Sequence, residues 1–299
     1  MKNNYREKMR AGSIMRPNER KQLKRLVSEA LAEDLASSDV TTEALVPSEF
    51  KGKAYILVKR DGVLAGMDAA REVFRQVDRS ARFKAAARDG DKVGKGKVVA
   101  TIEGKMASIL KAERTALNFL QHLSGIATET ALYVDAVAGT KAIITDTRKT
   151  VPGLRLLEKY AVRVGGGHNH RLNLSDGVLI KDNHLVVLRS CGVGLGEAVK
   201  KARKRAPRTM KVEVEVESVK EAREALSAGA DIIMLDNMKL EDMRHIVTMV
   251  RGRALLEASG GITLDNIRSV AETGVDLISV GALTHSAKAL DISLDIEPE

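Results

Sequence analysis

Cysteine and aromatic residues are scarce in this chain. Its 299 residues include one cysteine, Cys191, no tryptophan, four tyrosines and four phenylalanines. One thiol can neither close an intrachain disulfide nor complete a thiolate metal site, which fits a reducing compartment, and the cytoplasm is the expected location. Aromatics make up only 3%, so stacking of bases on aromatic platforms is not expected, and the core must be built from Leu, Ile, Val, Ala and Met. No apolar run reaches the length of a membrane span, and the opening MKNNYREKMRAGSIMRPNERK has no apolar stretch of signal-peptide length. With 44% hydrophobic and 30% charged residues, an ordinary globular protein is expected, with no membrane partner.

The formal net charge is +9, but the first 25 residues hold nine Lys/Arg against two Glu. The basic excess is therefore concentrated at the N-terminus and does not describe a cationic globule. Residues 1–17 read as a solvated basic extension, and nucleic acid is not an expected partner. A DNA-binding role for this tail is the non-enzymatic alternative.

Two kinds of pattern follow. Residues 18–34 have the spacing of an amphipathic helix, with Leu23, Leu26, Val27, Ala30 and Leu31 on one face. Ser37–Thr42 reads as a turn, 53–58 as a strand, and Ala69–Val77 as a helix. The segments RFKAAA and VVATIEG, separated by DGDKVGKGK, suggest a small antiparallel sheet. A long helix is predicted from Ala107 to about His122, stopping near Ser124-Gly125. The pattern then becomes short apolar runs alternating with helical segments. The runs are 142–147, 177–183, 212–217, 231–237, 254–261 and 276–282, and the later ones are separated by helices at 196–205, 219–228, 240–250 and 264–273. Such alternation indicates a parallel α/β arrangement. Polar chemistry sits at the carboxyl end of nearly every run, which points to a closed barrel and away from a doubly wound sheet with one switch point.

The densest stretch is TDTRKTVPGLRLLEKYAVRVGGGHNHRLNLSDGVLIKDNH, residues 145–184. Arg148, Lys149, Arg171 and Lys181 make it a candidate pocket for a small polyanion. In KVEVEVE, alternation sends Val212, Val214 and Val216 to one face and Glu213, Glu215 and Glu217 to the other. In a barrel strand the glutamates would point inward, where cations or a metal must compensate them. Asp236, one strand later, would add a second oxygen ligand suited to Mg²⁺. Ser259-Gly260-Gly261 and Ser279-Val280-Gly281 each follow a strand, as phosphate-binding loops of barrels do. The basic run Lys200–Arg208 reads as a solvated helix end. His168-Asn169-His170, with Lys181, His184, His245 and Asp236, offers a rival metal-hydrolase centre, although Arg171 beside it opposes a metal.

The segments ERTALNFLQHLSGIAT, DTRKTVPGLRLLEKYAVRVGGGHNHR, LIKDNH, VEVEV, IMLDN, SGGI and SVGALTHS closely resemble the quinolinate phosphoribosyltransferase family, from about residue 18 onward. EDLASSDVTT, residues 33–42, departs from the glycine-rich EDxGxGDxT of the family, and the basic extension is outside its pattern. The resemblance implies an α/β protein. Its N-terminal α+β sandwich domain would span residues 18–116 and its (β/α) barrel, of fewer than eight strands, residues 117–285, with a tail, 286–299, returning to the first domain. It implies transfer of a phosphoribosyl group from phosphoribosyl pyrophosphate to quinolinate with decarboxylation, giving nicotinate mononucleotide. It also implies a homodimer in which Arg114 reaches the partner's site. Arg148, His170, Arg171 and Arg114 would hold the quinolinate carboxylates, and Lys149 and Lys181 would lie between the two substrates. Glu215 and Asp236 would act through Mg²⁺ and the ribose hydroxyls, while Ser259, Gly260, Gly261, Ser279 and Gly281 would bind the 5′-phosphate. A same-fold enzyme acting on another carboxylated heterocycle, such as the molybdenum-transport-associated homologue, is the nearest alternative.

Overall fold

The structure is a computed structural model that describes residues 15–35 and 38–298. The described residues form two compact units. One comprises the chain through Ala131, Val151–Gly166 and the segment from Leu283; the other comprises Leu132–Thr150 and Gly167–Ala282.

The first unit opens with the helix Pro17–Leu35, which buries Leu23, Leu26, Val27 and Leu31 as its spacing predicts. Proline at the first helical position leaves no amide unsatisfied, and the Glu19 carboxylate accepts the Arg16 N–H at 2.7 Å. Glu19 also accepts both of its oxygens' contacts from the Arg163 guanidinium at 2.9 Å, a buried pair within this unit. The expected turn at 37–42 proves to be largely helical. Asp39 caps the helix Val40–Leu45 by accepting the Thr42 N–H at 2.9 Å, while Ser37 lies outside the described residues.

The strands here are β1 (Lys51–Val58), β2 (Gly62–Val63), β3 (Arg82–Ala85), β4 (Lys92–Val93) and β5 (Val98–Lys105). Alternate residues of β1, from Gly52 to Val58, are buried, the period of a half-buried antiparallel strand. The helix Met67–Val77 follows β2. A further helix, Met106–Ala136, runs well past the stop expected near Gly125. Glycine does not break it there, because its missing side chain lets another segment approach. A Cβ on Gly125 would stand 2.2 Å from the Lys288 carbonyl oxygen.

The second unit carries six parallel strands: β6 (Ile143–Thr145), β7 (Val178–Ile180), β8 (Val212–Val216), β9 (Ile232–Asp236), β10 (Leu255–Ser259) and β11 (Leu277–Ser279). Their order is β6-β11-β10-β9-β8-β7. Helices Leu195–Arg205, Val219–Ser227, Leu240–Val250 and Ile267–Ala271 connect successive strands, the last shorter than the expected 264–273. One cavity of about 500 Å³ is lined by residues of all six strands, so the sheet curves into a barrel. No ladder joins β6 to β7 among the described residues; instead, His168 bridges in parallel to Thr145 and extends the β6 edge. The closed ring expected from the sequence is thus a six-stranded barrel with a seam. Val212, Val214 and Val216 are almost fully buried, each contributing roughly 1.5–3 kcal/mol of apolar burial. At the end of helix Leu195–Arg205, Arg203 is not merely solvated, since its guanidinium contacts Asp231 and the Gly229 carbonyl.

The final strand, β12 (Ile292–Pro298), belongs to the first unit and pairs antiparallel with β1. The antiparallel order is β12-β1-β5-β3.

Candidate active site

Strand ends assemble the predicted residues of the second unit. Arg148 and Lys149 follow β6, Lys181 follows β7, Glu215 lies in β8, and Asp236, Ser259 and Ser279 end β9, β10 and β11. All six parallel strands therefore present these groups on one rim, the carboxyl ends, as the barrel argument requires. Lys149 and Lys181 are exposed, while Arg148, Glu215 and Asp236 are partly buried.

Two local charge relationships define the rim. The Arg171 guanidinium is held below its ordinary range by burial and then by the like charge of Arg148, with Glu213 pulling the other way. Two neighbouring guanidinium groups in a partly desolvated place suit a ligand with more than one carboxylate. Arg171 also donates from Nη1 to the Gly177 carbonyl at 3.0 Å. Opposite in sign, the Glu215 carboxyl is pushed up by burial and then by Asp236, against the pull of Lys181. That pair of oxygen donors is short of positive charge, and its chemistry fits a hard divalent cation.

The glycine loops have the backbone that their composition suggests. Gly260 and Gly261 have φ of 87° and 60°, a region that other residues rarely adopt. Asn237, with φ of 52°, donates its backbone N–H to the Ser259 carbonyl at 2.9 Å, tying the end of β9 to the start of the β10 loop. Ser279 is buried, and its hydroxyl points to the Ala258 carbonyl at 3.4 Å. Gly281 is partly exposed in the following loop.

His170 is placed differently from the arginines. Its Nδ1 accepts the Arg171 N–H at 2.8 Å, and its Nε2 faces Glu213 at 3.2 Å and Glu257 at 3.6 Å. In the sequence Glu257 reads only as one of the polar groups at the carboxyl ends of the apolar runs, and Asp146 has no assigned role. Asp146, fully buried, accepts the His170 N–H at 2.9 Å and the Asn169 side-chain amide at 2.6 Å. The His-X-His hydrolase centre does not form among the described residues. His168 is exposed, His245 lies on the exposed face of its helix, and His184 Nδ1 accepts the Lys181 N–H at 2.9 Å.

Arg114 belongs to the first unit, on the helix Met106–Ala136. Its side chain is 60% exposed and lies 3.9 Å from Glu113.

Two family models match almost end to end: quinolinate phosphoribosyl transferase, N-terminal domain, over residues 39–124, and the C-terminal domain over residues 126–295. The chain belongs to the quinolinate phosphoribosyl transferase family. A probable nicotinate-nucleotide pyrophosphorylase [carboxylating] of Bacillus subtilis is 45% identical over 275 residues, covering 92% of this chain and 93% of the relative. The chloroplastic enzyme of that name from Arabidopsis thaliana is 43% identical, over 93% of this chain and 83% of its own. Among solved structures, nicotinate-nucleotide pyrophosphorylase from Francisella tularensis superposes with a TM-score of 0.88 at 41% identity, covering 95% of this chain and 98% of that one. NadC from Streptococcus pyogenes gives 0.90 at 44% identity, covering 96% and 99%. The family shares the α/β architecture described above, with a parallel six-stranded sheet and a separate antiparallel one. No helix among the described residues is long and apolar enough to cross a membrane.

Proposed function

We propose that this chain is a decarboxylating quinolinate phosphoribosyltransferase, a pentosyltransferase of NAD biosynthesis. The observation that carries it is the neighbouring Arg148 and Arg171 guanidiniums on the same barrel rim as Glu215, Asp236 and the glycine loops. The first pair suits a dicarboxylate, and the second group suits a phosphorylated sugar.

In this mechanism Arg148 and Arg171 would clamp the two carboxylates and so aim the pyridine nitrogen at C1 of the ribose. The backbone of Gly260, Gly261 and Gly281, with the Ser259 hydroxyl, would hold the 5′-phosphate. As the nitrogen–carbon bond forms and pyrophosphate departs, the sugar becomes cation-like, and the Glu215 carboxylate would stabilise that charge. Lys149 and Lys181 would neutralise the departing pyrophosphate. The quaternised ring then loses its 2-carboxylate as CO₂, because the positive nitrogen stabilises the electron pair left on carbon, and protonation gives nicotinate mononucleotide. Glu215 and Asp236 are the residues that would hold Mg²⁺, which when bound supplies charge neutralisation beside the pyrophosphate. No protein nucleophile is needed.

The same proposal includes a homodimer in which the exposed Arg114 is supplied to the partner's site, and a cytoplasmic location in keeping with one exposed free cysteine. Calorimetry with quinolinate and with nicotinate, which lacks one carboxylate, tests the acceptor. Quinolinate should bind at least about tenfold more tightly; equal affinities would overturn the assignment.

A further inference from the structure

Arg171 is attached to the barrel through a histidine that makes its contacts inside the protein. The backbone N–H of Arg171 points at His170 Nδ1 at 2.8 Å, so Nδ1 is an acceptor and carries no proton. The ring proton therefore sits on Nε2, directed at the Glu213 carboxylate at 3.2 Å, with the Glu257 carboxyl 3.6 Å away. The His170 side chain is 13% exposed, that of Glu213 6% and that of Glu257 0%. Neither Glu257 oxygen has a hydrogen-bond donor within bonding distance among the described residues. From the other side Asp146 accepts the His170 backbone N–H.

The ligand atoms of His170, Glu213 and Glu257 lie within 4.8 Å of one another, which invites a metal reading. The tautomer opposes it. An Nε2 that carries the proton has no lone pair for a cation, and Nδ1 is already occupied by the Arg171 amide.

We propose that Glu213 is a positioning residue that acts through the His170 imidazole to fix the backbone, and hence the side-chain direction, of Arg171. It does not touch substrate. Its carboxylate orients the ring by accepting the Nε2–H, with Glu257 beyond bonding distance at 3.6 Å, and the ring in turn anchors the one amide that precedes the Arg171 side chain. Glu213 thereby has a different task from Glu215, two residues along the same strand and on the same face. This assignment rests on Arg171 as a quinolinate ligand.

A double-mutant cycle read by calorimetry tests it. Glu213→Leu should weaken quinolinate binding by about tenfold, the scale of one lost charge-assisted constraint, with phosphoribosyl pyrophosphate affinity unchanged. In steady state the quinolinate KM should rise more than kcat falls. Glu213→Gln, which keeps an acceptor for Nε2–H, should recover most of the loss. In an Arg171→Ala background Glu213→Leu should add nothing, because its effect passes through the missing side chain. An equal loss for both substrates, or a full additive loss on Arg171→Ala, would overturn the proposal. Long-range ¹H–¹⁵N spectra of histidine-labelled wild-type protein provide an arm that needs no substrate and no variant: Nε2 should carry the proton on His170. A protonated Nδ1 refutes the device itself, whereas the expected tautomer in a protein that does not bind quinolinate refutes only the acceptor assignment.

Discussion

Gly260 lies so close to Asn237 that a Cβ on the glycine would stand 2.3 Å from the asparagine Oδ1. The contact joins the end of β9, which carries Asp236, to the loop after β10, and the register pairs Asp236 with Ser259. Gly260→Ala combines this clash with an unfavourable backbone at φ of 87°. It should destabilise the fold by about 1–3 kcal/mol. Affinity for phosphoribosyl pyrophosphate should drop while that for quinolinate is retained. Urea denaturation and calorimetry read the two effects.

The neighbouring guanidiniums give a second expectation. Arg171→Ala and Arg148→Ala should each weaken quinolinate by about a hundredfold, the usual cost of truncating one side of a charged pair. Binding of phosphoribosyl pyrophosphate should persist. Calorimetry on each variant checks this, and unchanged quinolinate affinity would remove that arginine from the site.

Shared sites in a dimer would be visible by complementation. Arg114→Ala and Arg171→Ala homodimers should both be inactive. After subunit exchange the mixture should recover about a quarter of wild-type activity, since half the dimers are mixed and each has one intact site. Native mass spectrometry verifies the exchange, and no recovery in verified heterodimers would mean that Arg114 serves its own chain or none.

Glu257 gives the protein a pH dependence of stability. Burial, then the charge of Glu213, pushes its carboxyl from 4.5 up to about 7 in the folded state, against the pull of His170. A raised acid is favoured in its neutral form on folding, so its stabilising contribution is complete below pH 4.5 and is lost as pH rises to about 7. Glu257→Gln does not ionise. It should therefore gain stability relative to wild type between about pH 4.5 and pH 7, by on the order of 1–3 kcal/mol, and the difference should level off above that. Denaturation midpoints at several pH values measure the curve; a pH-independent difference would mean that Glu257 ionises normally.

The order of helices and strands was readable because short apolar runs bounded by Gly, Asp and Lys have few other uses. The rim was readable for the same reason: Arg148, Lys181, Asp236 and Ser259 each end such a run. What escaped was contact-dependent. Ser124-Gly125 looks like a stop, and only the approach of the Lys288 carbonyl explains a glycine inside a continuing helix. Asp39 serves a turn or a cap equally well in sequence, and the Thr42 N–H decides it. The alternation in β8 predicted that Glu213 and Glu215 face inward together. Which one meets His170 and which meets Asp236 depends on strand register and on the His168 bridge at the seam, neither of which periodicity encodes. Nothing in the sequence around Asp146 marks it for a role, whereas its full burial and its bonds to Asn169 and His170 make it the anchor of that segment.

The most direct measurement incubates the protein with quinolinate labelled at the 2-carboxylate, phosphoribosyl pyrophosphate and Mg²⁺, and follows nicotinate mononucleotide and labelled CO₂ together. Equal amounts of the two products, and none when phosphoribosyl pyrophosphate is left out, are expected. Neither product from a folded protein that binds phosphoribosyl pyrophosphate would contradict quinolinate as the acceptor.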